Sequence, residues 1–208
     1  MPPAPEDSSL AGRTDSSSVV AVILAAGGGT RFRGPGHKLD AQVRDRPVLE
    51  RAVGAALGAG IGPVVVVTGQ PLATALHPSV VHVVNDRWAE GQSTSLAAGL
   101  AAADHLGAEA AVIGLGDQPF VTVDAWRRVA GHRGAIAIAT YHGRRGHPVR
   151  LRRDTWSLLP ANGDEGARAL LRNRPDLVTE LPCEGSPIDI DTEEDLRRWQ
   201  SSSSTSSP

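Results

Sequence analysis

The chain has 208 residues, 40% of them hydrophobic, and a formal net charge of −2 at pH 7. The length suits one domain with tails, and the near-neutral charge excludes a general attraction to nucleic acid or to acidic membrane. The single cysteine, Cys183, excludes a disulfide framework and a multi-cysteine zinc site within one chain, and it fits a reducing cytoplasm.

Residues 1–17 are rich in Pro, Ser, Asp and Glu and have no apolar h-region, which predicts a disordered tail rather than a secretory signal. The low-complexity end, residues 201–208, reads the same way, leaving one folded domain over 18–200. No apolar run reaches the roughly 18 residues that span a bilayer. Val19–Leu24 (VVAVIL) is a continuous, β-branched run, as expected of a strand buried on both faces. The Gly-rich stretch Gly27–Gly36 follows, then a helix over 47–60 with Pro47 in its first turn and Gly58 and Gly60 at its end.

Val64–Thr68 and Val80–Val84 read as further strands. Ser93 or Thr94 is expected to cap an Ala- and Leu-rich helix to His105. A strand over Ala110–Leu115, a helix from Thr122 or Asp124 to Gly131 and a strand over 135–140 come next. Gly143–Gly146 is expected to turn the chain into a strand over Pro148–Leu151. Short helices near 154–159 and 164–173, a strand over 177–181 and a helix opened by the capping box Thr192–Asp195 complete the chain. Strands alternating with helices predict an α/β protein with a mostly parallel sheet, whose ligands bind beyond the carboxyl ends of the strands. The informative loops are therefore 25–38, 68–70, 85–95 and 116–120.

The first loop, Leu24-Ala-Ala-Gly-Gly-Gly-Thr-Arg-Phe-Arg-Gly-Pro-Gly-His-Lys38, combines glycines that let the backbone approach a phosphate with the cations Arg31, Arg33 and Lys38. It is neither a P-loop nor a G-x-G-x-x-G dinucleotide fingerprint. Carboxylates follow later strands in Gly116-Asp117-Gln118-Pro119 and in Asp189-Ile190-Asp191-Thr192. Taken singly, Asp117 could be a turn residue and Asp191 a helix cap. Converging on one site, two carboxylates could hold Mg²⁺ against a triphosphate.

The run Leu24-Ala25-Ala26-Gly27…Arg31-Phe32…Lys38 resembles the L-A-A-G-x-S-x-R-M/F-G…K signature of the nucleotidyltransferases that include the molybdenum cofactor cytidylyltransferases. Arg46-Pro47-Val48-Leu49-Glu50-Arg51-Ala52 is similar to the R/K-P-L-L-E-R-A of the cytidylyltransferase branch. Asn85–Leu96, Gly143–Pro148 and Asn162–Arg168 resemble further family segments. The resemblance implies a three-layer α/β/α sandwich of the nucleotide-diphospho-sugar transferase type. It implies that Arg31 and Lys38 bind triphosphate, within a nucleotide site of Leu24, Ala25, Ala26, Gly27, Gly28, Gly29, Thr68 and Gly69.

Asp117, Asp189 and Asp191 would then bind Mg²⁺ or Mn²⁺, with only one of the last two expected as a direct ligand on the premise that alternate strand positions diverge. Lys38, Asp117 and Arg31 would carry catalysis. Ser93, Ser95, His147 and Arg168 would face the acceptor; plain capping by Ser93 and a core role for Trp88 are the simpler alternatives. The implied reaction joins CTP, or another NTP, to a molybdopterin-type acceptor in the cytoplasm, with a molybdenum hydroxylase as partner. Transfer to another phosphorylated acceptor, an NAD(P)-dependent reductase of a pigment and a non-catalytic cofactor-insertion chaperone stay open. NADPH turnover and pyrophosphate release discriminate them.

Overall fold

The computed structural model describes residues 18–161 and 163–201. The two expected tails lie outside these residues, except that the last helix runs through Ser201. The strands are β1 (Val19–Ala25), β2 (Gln42–Val43), β3 (Arg46–Pro47), β4 (Val64–Thr68), β5 (Val80–Val84), β6 (Ala110–Leu115), β7 (Ile136–Tyr141), β8 (Arg144–Arg152) and β9 (Val178–Pro182). The helices are α1 (Val48–Ala59), α2 (Gln92–His105), α3 (Val123–Ala130), α4 (Arg168–Asn173) and α5 (Glu193–Ser201).

Seven strands form one sheet in the order β5-β4-β1-β6-β8-β7-β9, and β2 pairs with β3 in a separate hairpin. All pairings in the large sheet are parallel except those of β8. The reversal follows from local geometry. His142 and Gly143 both take positive φ, 50° and 78°, the conformation of the two-residue turn that matches strand twist in a hairpin. The expected turn over Gly143–Gly146 is therefore displaced: residues 144–146 already belong to β8.

The β1, β4 and β6 runs are nearly all buried, as their continuous apolar sequence requires. Alternate residues enter two cores. Ala21, Ile23, Val64, Val66 and Val112 meet α1, α3 and the Leu196 and Trp199 side chains of α5. Val20, Val22, Val65 and Val67 meet Leu96 and Leu100 of α2 and Leu170 and Leu171 of α4. The result is the expected three-layer α/β/α arrangement. Gly99 of α2 faces Val22 and Val67 so closely that a Cβ there would overlap Val22, and this brings α2 down onto the sheet.

Helix boundaries also differ from expectation. Gly91, not Ser93 or Thr94, is the N-cap of α2, and Ser93 and Thr94 lie inside the helix. The Ser93 amide donates to Gly163 O (3.0 Å), which satisfies an N-terminal donor from a distant loop. The 153–158 segment is a 3-10 helix, and α4 begins at Arg168 after a turn through Gly166 (φ 51°). The capping box is as expected: Thr192 Oγ1 accepts from the Asp195 amide (3.1 Å), and Asp195 Oδ2 accepts from the Thr192 amide (2.9 Å). Among the described residues no helix is long and apolar enough to cross a membrane.

Candidate active site

Parallel pairing of β1 with β6 places the ends of both strands side by side, and the Gly116 amide donates to Leu24 O (2.9 Å). Their loops therefore leave the sheet together, at the carboxyl end where this class of sheet binds ligands. The Gly-rich loop runs along that edge and turns back through Gly29 (φ 59°) and Gly36 (φ 77°). His37 fastens it. Its Nδ1 accepts from the Leu39 amide (3.2 Å), so Nε2 carries the proton and donates to Gly27 O (3.0 Å).

Lys38 opens a short 3-10 turn and is only 8% exposed. A buried ammonium needs anionic partners. Lys38 Nζ donates to Asp117 Oδ2 (2.6 Å) and to Asp191 Oδ1 (2.8 Å). Burial alone would lower its pKa, but the two carboxylates outweigh that effect and hold it above the usual lysine value. Arg31 Nη2 bridges to the other Asp191 oxygen at 2.9 Å, with a side chain 76% exposed. The four expected residues Arg31, Lys38, Asp117 and Asp191 thus form one charged cluster.

Asp189 belongs to the same neighbourhood. The Ile190 amide donates to Asp117 O (2.9 Å), which ties this segment to the β6 loop. Ile190 is fully buried, whereas Asp189 and Asp191 both open on a cleft of about 1400 Å³. Both therefore face the cleft, which corrects the premise that alternate strand positions diverge. Residues two apart on an extended chain share a side, and it is the intervening Ile190 that points away. Burial, then the negative charge of Asp117, pushes the Asp189 pKa above its ordinary value. The Gln118 amide group holds its Oδ1 at 2.8 Å and Pro187 O at 3.0 Å. Gln118 went unassigned in the sequence; its only signal there was its place next to Asp117.

The glycines carry a second constraint. Trp88, half-buried, lies across both Gly28 and Gly69: a Cβ on Gly28 would sit 2.9 Å from the ring, and one on Gly69 would overlap it. Trp88 therefore joins the β1 and β4 loops and is not a residue of the main cores. Leu24, Ala25, Ala26 and Thr68 are buried beneath these loops, and Thr68 Oγ1 is 2.8 Å from His82 Nε2. Gly29 lies against Lys38 and His37, whereas Thr68 and Gly69 line a separate hollow beside β5.

The large cleft continues over the open side of β6 and β8. Leu24, Leu96, Ile113, Leu115, Ile138 and Val149 form its apolar floor, and Arg144, His147, Arg168, Asp189 and Asp191 supply its polar lining. His147 reaches it through an irregularity. The β7–β8 register jumps from Ile138↔Val149 to Ala139↔Gly146, so His147 and Pro148 stand out of the ladder. Burial, assisted by the Arg168 charge, lowers the His147 pKa to about 4, so the ring is neutral at pH 7.

Ser93 and Ser95 do not line this cleft; their neighbours Gln92 and Leu96 do. Ser95 Oγ and Thr94 Oγ1 both accept from Asn85 Nδ2 at 2.9 Å, a buried network that fixes the start of α2. Ser93 Oγ is buried without a hydrogen-bond partner among the described residues.

The residues fit a divalent metal. Asp117 and Asp191 already converge on one cation, the Lys38 ammonium, and offer hard oxygen donors. Mg²⁺ and Mn²⁺ are met by one or two carboxylates with water and phosphate completing the shell. Among the described residues no group of three or more His, Cys, Asp or Glu forms a complete metal site. The remaining ligands would come from a bound triphosphate and from water.

Residues 21–178 match the MobA-like NTP transferase domain. The chain is 36% identical over 211 residues to the nicotine blue oxidoreductase of Paenarthrobacter nicotinovorans, covering 90% of this chain and 98% of that protein. The solved structure of Mycobacterium tuberculosis H37Rv Rv0371c in complex with manganese superposes with a TM-score of 0.75 at 31% identity, covering 89% of this chain and 99% of the other. A nucleotidyl transferase from Methanothermobacter thermautotrophicus superposes with a TM-score of 0.74 at 26% identity, covering 88% and 96%.

Proposed function

The chain belongs to the MobA-like NTP transferase domain family, and from that premise we propose that it transfers the cytidylyl group of CTP to a molybdopterin-type phosphorylated acceptor, releasing pyrophosphate. The observation that carries this reading is the cluster of Lys38, Asp117, Asp191 and Arg31 at the mouth of the Gly27–Gly29 loop. A triphosphate brings about four negative charges, and a loop of free amides with two cations answers them.

Asp117 and Asp191 would hold Mg²⁺ or Mn²⁺, which when bound neutralises charge on the α-phosphoryl group and the departing pyrophosphate. Lys38 and Arg31 would hold the phosphates in line. The acceptor phosphate is already an anionic nucleophile, so its oxygen attacks the α-phosphorus as the bond to pyrophosphate breaks, and no side-chain base is required. Positioning and charge stabilisation supply the catalysis.

The apolar cleft suits an acceptor with a flat body, with Arg168 and Arg144 to meet its phosphate and neutral His147 to serve as a hydrogen-bonding partner. Such a product would pass to a molybdenum hydroxylase, and a cytoplasmic location would serve both. The nucleotide preference rests on Pro47-Val48-Leu49-Glu50, which resembles the cytidylyltransferase branch. A pocket that pairs a pyrimidine edge has no room for a purine and would leave polar groups unpaired, at about 1–3 kcal/mol each. Pyrophosphate release in the presence of molybdopterin tests this: at least a roughly tenfold preference for CTP is expected. Equal rates with GTP or ATP would remove the cytidylyl assignment.

One relative favours a second reading. Nicotine blue oxidoreductase, by its name a redox enzyme, covers almost the whole chain. Under that reading this chain would reduce a planar pigment in the same apolar cleft with an NAD(P)H donor. The loop lacks G-x-G-x-x-G, and the clustered carboxylates have no role in hydride transfer. NADPH consumption without pyrophosphate release would decide for it.

A further inference from the structure

The two edges of the large sheet are built differently. β9 is blunted: Glu180 pairs with Arg145 (2.8 Å), and Pro182 has no amide to offer. Such devices keep edges from recruiting other strands. β5, Val80-Val81-His82-Val83-Val84, carries no proline, lysine or carboxylate, and it pairs with β4 in regular register without a bulge. Val81 is 39% and Val84 59% exposed.

Backbone alternation shows which groups face outward. The Asn85 amide donates to Thr68 O of β4 (2.7 Å). Hence Val81 and Val83 also address β4, while Val80, His82 and Val84 turn their N–H and C=O groups to the open edge. The Val80 amide is met by His77 O (3.0 Å). The outward groups of His82 and Val84 have no such partner among the described residues.

The strand also reads the same in both directions about His82. Antiparallel pairing of two copies about a two-fold axis through His82 sets Val81 against the partner's Val83 and Val80 against the partner's Val84. It sets His82 against the partner's His82, where both outward groups form a hydrogen-bonded pair. A two-fold interface repeats each contact twice, and here every contact is valine on valine or histidine on histidine.

We propose that β5 is a dimerisation edge, through which two copies join their sheets antiparallel with His82 on the axis. Pairing is self-limiting, because the remaining edges are the blunted β9 strands. The active-site cluster lies on the β1 and β6 loops, so dimerisation leaves the cleft open. The ladder is short, so the dimer forms in a concentration-dependent way.

Two experiments on the full chain test this. In sedimentation velocity over a concentration series, the native chain shifts from monomer to dimer. The Val81→Lys/Val84→Lys variant, which alters only exposed side chains, stays monomeric with an unchanged melting temperature. A native chain monomeric throughout, or a dimer indifferent to both lysines, overturns the proposal.

The register is read by mild oxidation in a Cys183→Ser background. His82→Cys cross-links, because a hydrogen-bonded pair spaces its Cα atoms about 5.5 Å apart, within disulfide reach. Val84→Cys does not, since its symmetry mate lies four residues, roughly 13 Å, along the strand. Cross-linking of Val84→Cys in place of His82→Cys, or of neither, overturns the His82-centred pairing.

Discussion

Lys38 Nζ sits 2.6 Å from Asp117 Oδ2 and occupies, as an internal cation, the position between Asp117 and Asp191 that a divalent metal would claim. The two cations cannot share it. Under the proposed function, a triphosphate that draws Lys38 toward its phosphates would free the carboxylates for metal, and nucleotide and metal binding would be coupled.

Replacing Lys38 by Met should therefore have opposite effects on two ligands. Triphosphate binding weakens by about ten- to a hundredfold, the worth of a charged contact of roughly 1.5–3 kcal/mol, while nucleoside binding hardly changes. Mn²⁺ alone binds more tightly than to the native protein, as read from its electron paramagnetic resonance signal, because two carboxylates have lost their counter-ion. Unchanged or weaker Mn²⁺ binding would show that Lys38 does not stand in for the metal.

Among the carboxylates, Asp117→Asn and Asp191→Asn should each abolish metal-dependent turnover, since each loses the charge that meets the cation. Asp189→Asn should be milder, because Gln118 already supplies a hydrogen bond to its Oδ1. Melting temperatures should fall by only a few degrees, as Lys38 keeps one carboxylate in either severe variant. Native rates of pyrophosphate release for Asp117→Asn would place the metal elsewhere.

His147 makes a prediction about pH. Its folded pKa, about 4, lies below the ordinary 6.5, so the unfolded chain binds the proton more readily. Its contribution is fully present above pH 6.5 and is lost as pH falls from there toward 4. The maximum is about 3 kcal/mol, reduced to the extent that the cleft wets the ring. Denaturant melts of the native chain and of His147→Gln should converge in this respect: the variant loses less stability over that window. Parallel pH dependences for the two would show that the ring is well solvated.

Gly69→Ala should cost about 1–3 kcal/mol by driving a methyl group into the Trp88 indole. The cost should shrink in a Trp88→Ala background, since the clash is between those two residues. Equal costs in both backgrounds would mean that the β4 loop requires glycine for another reason.

The sequence by itself determined the buried strands, because unbroken β-branched runs have no other stable place than a covered sheet. It also determined the glycine-rich and carboxylate loops and the Thr192–Asp195 capping box, all of which depend on neighbours within a few residues. What it left open was who meets whom. Lys38 reaches Asp117 across 79 positions and Asp191 across 153, and only the sheet order brings the three together.

The same holds for the capping of α2 by Gly91 with Gly163 O behind it. It holds for the turn at His142-Gly143, where the expected span Gly143–Gly146 begins one residue late and ends three residues late. Local periodicity records how deeply a residue is buried. The partner it is buried against is set by chain crossings and register, which no short window contains.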